Sequence, residues 1–400
     1  MRWGHNVAMY SPENIGLGHL RRNILVAHQL LARDPNCNIL LFANSPVAPF
    51  FKTPEQMDHV KLPSARKLAA GDWGPARLRI GKGQLRAMRS DLLRSALLQF
   101  RPDLFLVDHM PAGVLGELQP ALKALKHEQP NCFTVLGLRD ILDAPAATAR
   151  AWEREGARDA LRHYYDRILI YGSEEMFPTS HAYDLPVPPA GLHYCGYLVH
   201  EGRLKPAREV RAALSVGSEP FVFVSAGGGN DGEHIMRTYV EAIRWLGRRA
   251  DFVTLLAVGA NAPPDLKVEI ESAARGLPIR VVPFVEDSPS HIAAADLVVC
   301  MAGYNTVAEV LHLKKKALVV PRRGPSAEQR IRATLLAERR LVDVLDPDEL
   351  TPALMGERLV ADLGRTDFPA ASGAPRLDGG GVAAERLLEL LREGAYAATA

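Results

Sequence analysis

Phe221-Val222-Phe223-Val224-Ser225-Ala226-Gly227-Gly228-Gly229-Asn230-Asp231-Gly232 is a short apolar run followed at once by a glycine-rich turn. From Gly232 to about Arg249 the apolar spacing is helical, so the stretch reads as strand, turn and helix. Glycine lets backbone N–H groups approach a ligand closely, and a helix N-terminus favours negative charge. A second unit of this kind stands near the N-terminus. There Asn6–Tyr10 reads as a strand and Gly16-Leu17-Gly18-His19-Leu20-Arg21-Arg22 as the turn. The helix from His19 to Arg33 follows, with Leu20, Ile24, Ala27 and Leu31 on one face. One such unit in each half predicts an α/β protein of two Rossmann-like domains facing each other across a cleft.

The rest of the chain fits that expectation. Apolar runs at Asn38–Ala43, Leu104–Val107, Phe133–Leu136, Arg167–Tyr171 and Tyr194–Leu198 alternate with helical patterns in the first half. Phe252–Val258, Ile279–Val282, Leu297–Cys300 and Ala317–Val320 do the same in the second. Between residues 72 and 100 lies a basic stretch with a helical tail from Gln84 to Phe100. The charged segment near residues 198–206 marks the junction, giving domains 1–200 and 201–400. A loop at Ala370–Gly381 leads into a terminal helix, Val382 to Arg392, able to pack back on the first domain.

Composition narrows the function classes. Over 400 residues, Lys+Arg number 48 against Asp+Glu 46, which gives no support to nucleic-acid binding. A pI near 8.3 leaves room for a local basic patch facing phosphates or an anionic membrane surface. Four scattered cysteines, with no C-x-x-C pair, fit a reduced, cytoplasmic setting and no metal. No apolar run is long enough to span a bilayer, which leaves peripheral membrane contact open.

Three segments are candidates for chemistry. Gly227, Gly229 and Gly232 form G-x-G-x-x-G after a strand, but Phe252–Val258 runs into Gly259-Ala260-Asn261 with no carboxylate for a ribose. The turn therefore reads as a phosphate cradle rather than a site for NAD or FAD, or else as a tight turn with no ligand. In the second segment, Cys300-Met301-Ala302-Gly303-Tyr304-Asn305-Thr306-Val307-Ala308-Glu309, a helix begins near Thr306. Its free amides suit a pyrophosphate and Glu309 suits two ribose hydroxyls, while Thr306-x-x-Glu309 equally fits a capping box. The third is the N-terminal turn, which sets His19 at a helix start, as a general base or as a mere lining of the turn. Val107-Asp108-His109-Met110 and Leu138-Arg139-Asp140 follow strands. Asp108 and Asp140 there either assist His19 or cap helices and pair with arginines.

Gly16-x-Gly18-His19, Ala226-Gly227-Gly228-Gly229 and the run from Ala302-Gly303 through Glu309 to Pro321 and Glu328-Gln329 resemble one family. It is that of the MurG-like nucleotide-sugar glycosyltransferases, of GT-B architecture, and the resemblance covers nearly the whole chain. It implies that Glu309 binds the ribose of a UDP-sugar, and that Gly303, Asn305 and Thr306 meet the diphosphate with Gly227, Gly228 and Gly229. Phe284 and Val285 would edge the uracil and Gln329 the donor sugar. Gly18 and Arg22 would lie on the donor side of His19, which would be the base or a close helper. The acceptor would be a sugar, a lipid-linked molecule or a small molecule. No cofactor and no metal are implied.

Retaining relatives carry two glutamates eight positions apart, but counting back from Glu309 gives Met301, so the resemblance implies inversion. The GxGHxxR form of the first turn is also similar to a nucleotide-sugar hydrolase of the same fold and to predicted bacterial glycosyltransferases. Hydrolysis or epimerisation of a nucleotide sugar, and non-catalytic nucleotide-sugar binding, stand as alternatives.

Overall fold

A computed structural model describes residues 4–12, 18–46, 48, 52–69, 72–229 and 231–399. Gly16 and Leu17 of the first turn and Asn230 of the second lie outside them. The chain divides into two units: Met1–Leu198 with Asp378–Ala400, and Val199–Leu377.

Unit 1 contains β1 (Asn6–Ser11), β2 (Asn38–Ala43), β3 (Met57–Lys61), β4 (Ala65–Ala69), β5 (Asp72–Pro75), β6 (Leu104–Asp108), β7 (Phe133–Arg139), β8 (Arg167–Tyr171) and β9 (Leu192–Tyr194). Strands β4 and β5 form a small antiparallel hairpin. The other seven make one parallel sheet in the order β3-β2-β1-β6-β7-β8-β9. Central strands buried on both faces read as unbroken apolar runs. Val7, Ala8, Met9 and Tyr10 of β1 are fully buried, with Val7 paired to Ile39 on one side and Leu104 on the other.

Unit 2 contains β10 (Phe221–Ser225), β11 (Val253–Ala257), β12 (Ile279–Val282), β13 (Leu297–Cys300), β14 (Ala317–Val319) and β15 (Asp343–Val344). They form a parallel sheet in the order β12-β11-β10-β13-β14-β15. In each unit the strand order turns back beside the first strand, between β1 and β6 and between β10 and β13. Loops leaving the C-terminal strand ends part at such a point and open a crevice for a ligand. The α/β class with two Rossmann-like sheets expected from the sequence is therefore observed.

Some boundaries moved. The strand expected at Tyr194–Leu198 lies at Leu192–Tyr194, because Tyr197 and Leu198 are buried without joining the ladder. The helix expected to begin near Thr306 begins at Tyr304 with Gly303 as N-cap. Thr306 is thus inside the first turn, and the capping box is overturned. The terminal helix, Gly379–Thr399, belongs to unit 1 and buries Ala383, Ala384, Leu387, Leu388, Leu390 and Leu391. Arg167 of β8 anchors it, donating to the Arg386 carbonyl at 2.5 Å and pairing with Glu389 at 3.3 Å.

A buried ion pair ties the loops above the sheet of unit 1. Arg89, on the helix Lys82–Phe100, and Glu117, before the helix Leu118–Glu128, are both fully buried. Arg89 Nε and Nη2 donate to Glu117 Oε1 at 3.1 and 2.5 Å, and Nη1 donates to Asn44 Oδ1 and the Pro63 carbonyl, both at 2.7 Å. Tyr10 OH of β1 donates to the same Glu117 Oε1 at 2.7 Å, and Leu115 N–H donates to Oε2 at 2.7 Å.

Unit 2 has a buried carboxyl of the opposite kind. Asp362, on the helix Pro352–Gly364, is fully buried; burial first, then the Asp343 carboxylate beside it, pushes its pKa up to about 7. A carboxyl raised in the folded state stabilises most below its unfolded pKa, and that contribution is lost as pH climbs through the folded value. Asp362→Asn, which cannot ionise, is expected to gain several degrees of unfolding midpoint on wild type between about pH 5 and about pH 8. A midpoint difference that stays constant across that range would refute the assignment.

Candidate active site

At the parting of β1 and β6, the helix Gly18–Arg33 sets His19, Arg22 and Asn23 on Asp108, the last residue of β6. Spacings of three and four bring these side chains to one helix face. His19 Nδ1 lies 2.9 Å from Asp108 Oδ2. Arg22 Nη2 lies 3.2 Å from Oδ2 and 3.4 Å from Oδ1. Asn23 Nδ2 donates to Oδ2 at 3.4 Å and to the His19 carbonyl at 2.9 Å. Burial pushes the Asp108 carboxyl up, but Arg22 and His19, with their hydrogen bonds, outweigh it and hold the pKa below its ordinary value.

Arg22 Nη2 is also 2.6 Å from His19 Nδ1. One ring nitrogen cannot give a proton to the carboxylate and a lone pair to the guanidinium together. With the proton on Nδ1 and given to Asp108, Nε2 keeps the lone pair that a general base needs; with Arg22 donating to Nδ1, the proton sits on Nε2. The His19 side chain is 14% exposed, against 3% for Arg22 and 2% for Asp108. The imidazole is the part of the trio that reaches solvent.

Arg22 is buried against Asp108. Asp140 is fully buried, and its Oδ2 accepts from Tyr197 OH at 2.6 Å. Its backbone carbonyl accepts from Thr179 Oγ1 at 2.6 Å, so Asp140 fastens the loops beyond β7 and is structural. No role for His109 is evident from the sequence alone. Its ring centroid lies 5.0 Å from that of His19 at an interplanar angle of 43°. Its φ is 67°, in the left-handed region, and its Nδ1 is buried with no hydrogen-bond partner among the described residues.

In unit 2 the glycine turn follows β10 and the helix Tyr304–His312 follows β13, so both border the second parting. Gly229, at φ 90°, would drive a Cβ to 2.6 Å from the Val258 carbonyl oxygen, so loop packing alone demands glycine there. Gly227 and Gly303 differ: a Cβ at either would meet nothing within 4 Å. Gly303 also has an ordinary backbone, with φ −68° and ψ 137°. Neither strain nor crowding requires glycine at 303, and its bare backbone leaves room for a ligand at the helix start. Asn305 and Thr306 are half-buried on the first helical turn.

Glu309 is 2% exposed, and its Oε1 accepts from the His200 N–H at 3.2 Å. Gln329 is 4% exposed and its Oε1 accepts from the Arg322 N–H at 2.9 Å, which makes it an anchor of the loop after β14. Phe284 is 51% exposed and Val285 half-buried, just beyond β12. Away from both partings, His5, Asp34 and Cys37 bring ligand atoms within 4.8 Å of one another. Hydrogen bonds account for them, with Asp34 Oδ2 3.1 Å from His5 Nδ1 and 3.4 Å from Cys37 Sγ. Burial, then Asp34, pushes the Cys37 thiol up to about 12.

No helix among the described residues is long and apolar enough to cross a membrane. Residues 221–372 match the model of the glycosyltransferase family 28 C-terminal domain. The UDP-N-acetylglucosamine--N-acetylmuramyl-(pentapeptide) pyrophosphoryl-undecaprenol N-acetylglucosamine transferase of Nitrosococcus oceani is 31% identical over 294 residues, which are 70% of this chain and 79% of that one. Among solved structures, MurG of Acinetobacter baumannii superimposes with a TM-score of 0.57 at 14% identity, over 97% of this chain and 99% of that one. A putative UDP-N-acetylglucosamine 2-epimerase of Listeria monocytogenes gives 0.63 at 13% identity, over 97% and 95%. These two likenesses establish the GT-B fold of two Rossmann-like domains. The chain belongs to glycosyltransferase family 28, among the MurG-like glycosyltransferases.

Proposed function

We propose that the protein moves a sugar from a UDP-sugar to an acceptor hydroxyl, with inversion and without a metal. The observation that carries this is the His19–Asp108 pair at the parting of β1 and β6, an imidazole oriented by a buried carboxylate. His19 takes the acceptor proton as the oxygen attacks the anomeric carbon, and UDP leaves from the opposite face. The amides at the start of the helix Tyr304–His312 and the turn Gly227–Gly229 receive the growing diphosphate charge. Glu309 holds the ribose, and Phe284 and Val285 edge the uracil.

We favour a lipid-linked sugar diphosphate as acceptor. The Nitrosococcus relative is named for such a molecule. Leu68, Leu78, Met88 and Leu92 are exposed here among exposed Arg66, Lys67, Arg77, Arg79, Lys82 and Arg86, a surface suited to an anionic bilayer.

Thermal unfolding against UDP, GDP, dTDP, NAD and FAD tests the donor assignment. At a hundredfold excess over Kd, UDP is expected to add about 2.7 kcal/mol and raise the midpoint by several degrees. Glu309→Gln keeps an acceptor for the His200 N–H but loses the carboxylate, and its UDP shift should shrink or vanish. A shift with NAD or FAD and none with UDP would sink the proposal. Free sugar released without an acceptor would instead favour a hydrolase.

A further inference from the structure

We propose that His109 is an acceptor-holding residue, its imidazole hydrogen-bonding the molecule whose hydroxyl His19 deprotonates. This rests on the transferase reading of the same site. The placement comes from topology: His19 follows β1, His109 follows the neighbouring β6, and their rings stand 5.0 Å apart.

The backbone marks His109 as well. Histidine, with asparagine and aspartate, enters the left-handed region more often than other side chains, and His109 holds φ 67° there. Its N–H donates to the Gly137 carbonyl on β7 and the Met110 N–H donates to the Asp108 carbonyl, both at 2.8 Å. The turn is thereby fixed with the ring beside His19. Non-glycine residues held in that region gather at functional sites. The inner nitrogen adds a third observation, because a buried polar atom without a partner is costly unless a ligand or water completes it.

The charge state decides what the ring can hold. Burial, then Arg139 of β7, His19 and Arg22 of the helix Gly18–Arg33, and Lys67 of β4 hold its pKa well below the ordinary histidine value. The Asp108 carboxylate adjoins it in sequence but is engaged by Arg22 and His19. A neutral imidazole offers one donor and one acceptor, which matches a hydroxyl or an amide and gives no ion pair to a carboxylate.

His109→Gly and His109→Asn separate side chain from backbone. Both tolerate the left-handed turn, but asparagine retains a short polar group and glycine none. UDP release from UDP-N-acetylglucosamine would be measured with N-acetylmuramyl pentapeptide diphosphate on a short prenyl chain, and with water alone. His109→Gly is expected to raise KM for that acceptor about tenfold, as for one lost hydrogen bond to a bound molecule, with kcat and the UDP midpoint shift little changed. His109→Asn should recover most of the loss. An unchanged acceptor KM in His109→Gly would overturn the assignment. So would equal losses in both variants together with lowered unfolding midpoints, which mark a structural role. If wild type ignores the prenyl probe, water is the acceptor, and equal UDP release from wild type and His109→Gly in water alone overturns it. A wild type that binds UDP and releases none from the sugar nucleotide refutes the transferase reading, and His109 with it.

Discussion

His19→Ala is expected to lower turnover by a hundredfold to ten-thousandfold, roughly the range for removing a general base, while the UDP midpoint shift stays at its wild-type size. The effect is large because the side chain sits where base and orienting carboxylate meet. Asp108 is charged, 2% exposed and held by neighbouring donors, so it orients the imidazole without taking its proton. UDP release under saturating donor, wild type against variant, checks the expectation. Turnover within a few-fold of wild type would remove His19 from the chemistry and leave the ion pair beneath it as mere scaffolding.

Breaking the Arg89–Glu117 pair should have the largest effect on stability. Arg89→Met or Glu117→Leu alone leaves a fully buried charge without its counterion and is expected to cost unit 1 about 3–5 kcal/mol. The double variant should lose much less, because a buried ion pair replaced whole by apolar side chains is often near neutral. Urea unfolding read by intrinsic fluorescence measures this, with buried Trp152 reporting the core of unit 1. Additive losses in the double variant would show that the two residues act separately. The pair is also joined to Tyr10, Asn44, Pro63 and Leu115, so its loss should loosen the loops at the strand ends where His19 and Asp108 sit.

What could be read from the sequence follows from where each residue is buried. Phe221–Ser225, Leu297–Cys300 and Arg167–Tyr171 lie deep in parallel sheets, and a strand covered on both faces must be apolar throughout, so its signal survives in the letters. Met57–Lys61 is an edge strand in which Met57 alone is buried, and the hairpin Ala65–Pro75 is half polar, so neither announced itself. At the site, His19 and Asp108 were each legible from the strand and turn before them. That they touch, 89 residues apart, is a property of β1 lying beside β6. That Arg22 also turns onto Asp108 is likewise a property of the fold, since an arginine three residues on from a turn histidine has no partner written beside it in the sequence. The positive φ of His109 could not be read from the sequence, because a histidine after a strand adopts that conformation only in some folds.

The return of residues 378–399 to unit 1 bears on how the chain comes off the ribosome. Unit 2 is contiguous, Val199–Leu377, and can finish as soon as it emerges. Unit 1 cannot, because the helix that buries Leu387, Leu388, Leu390 and Leu391 against it is made after all of unit 2. At about 5–20 residues per second, the 179 residues of Val199–Leu377 represent roughly ten to forty seconds of synthesis. Through that interval the nascent sheet carries a bare apolar flank beside β6 and β8, and Arg167 waits for Glu389. The half of the protein that holds His19 is started first and completed last.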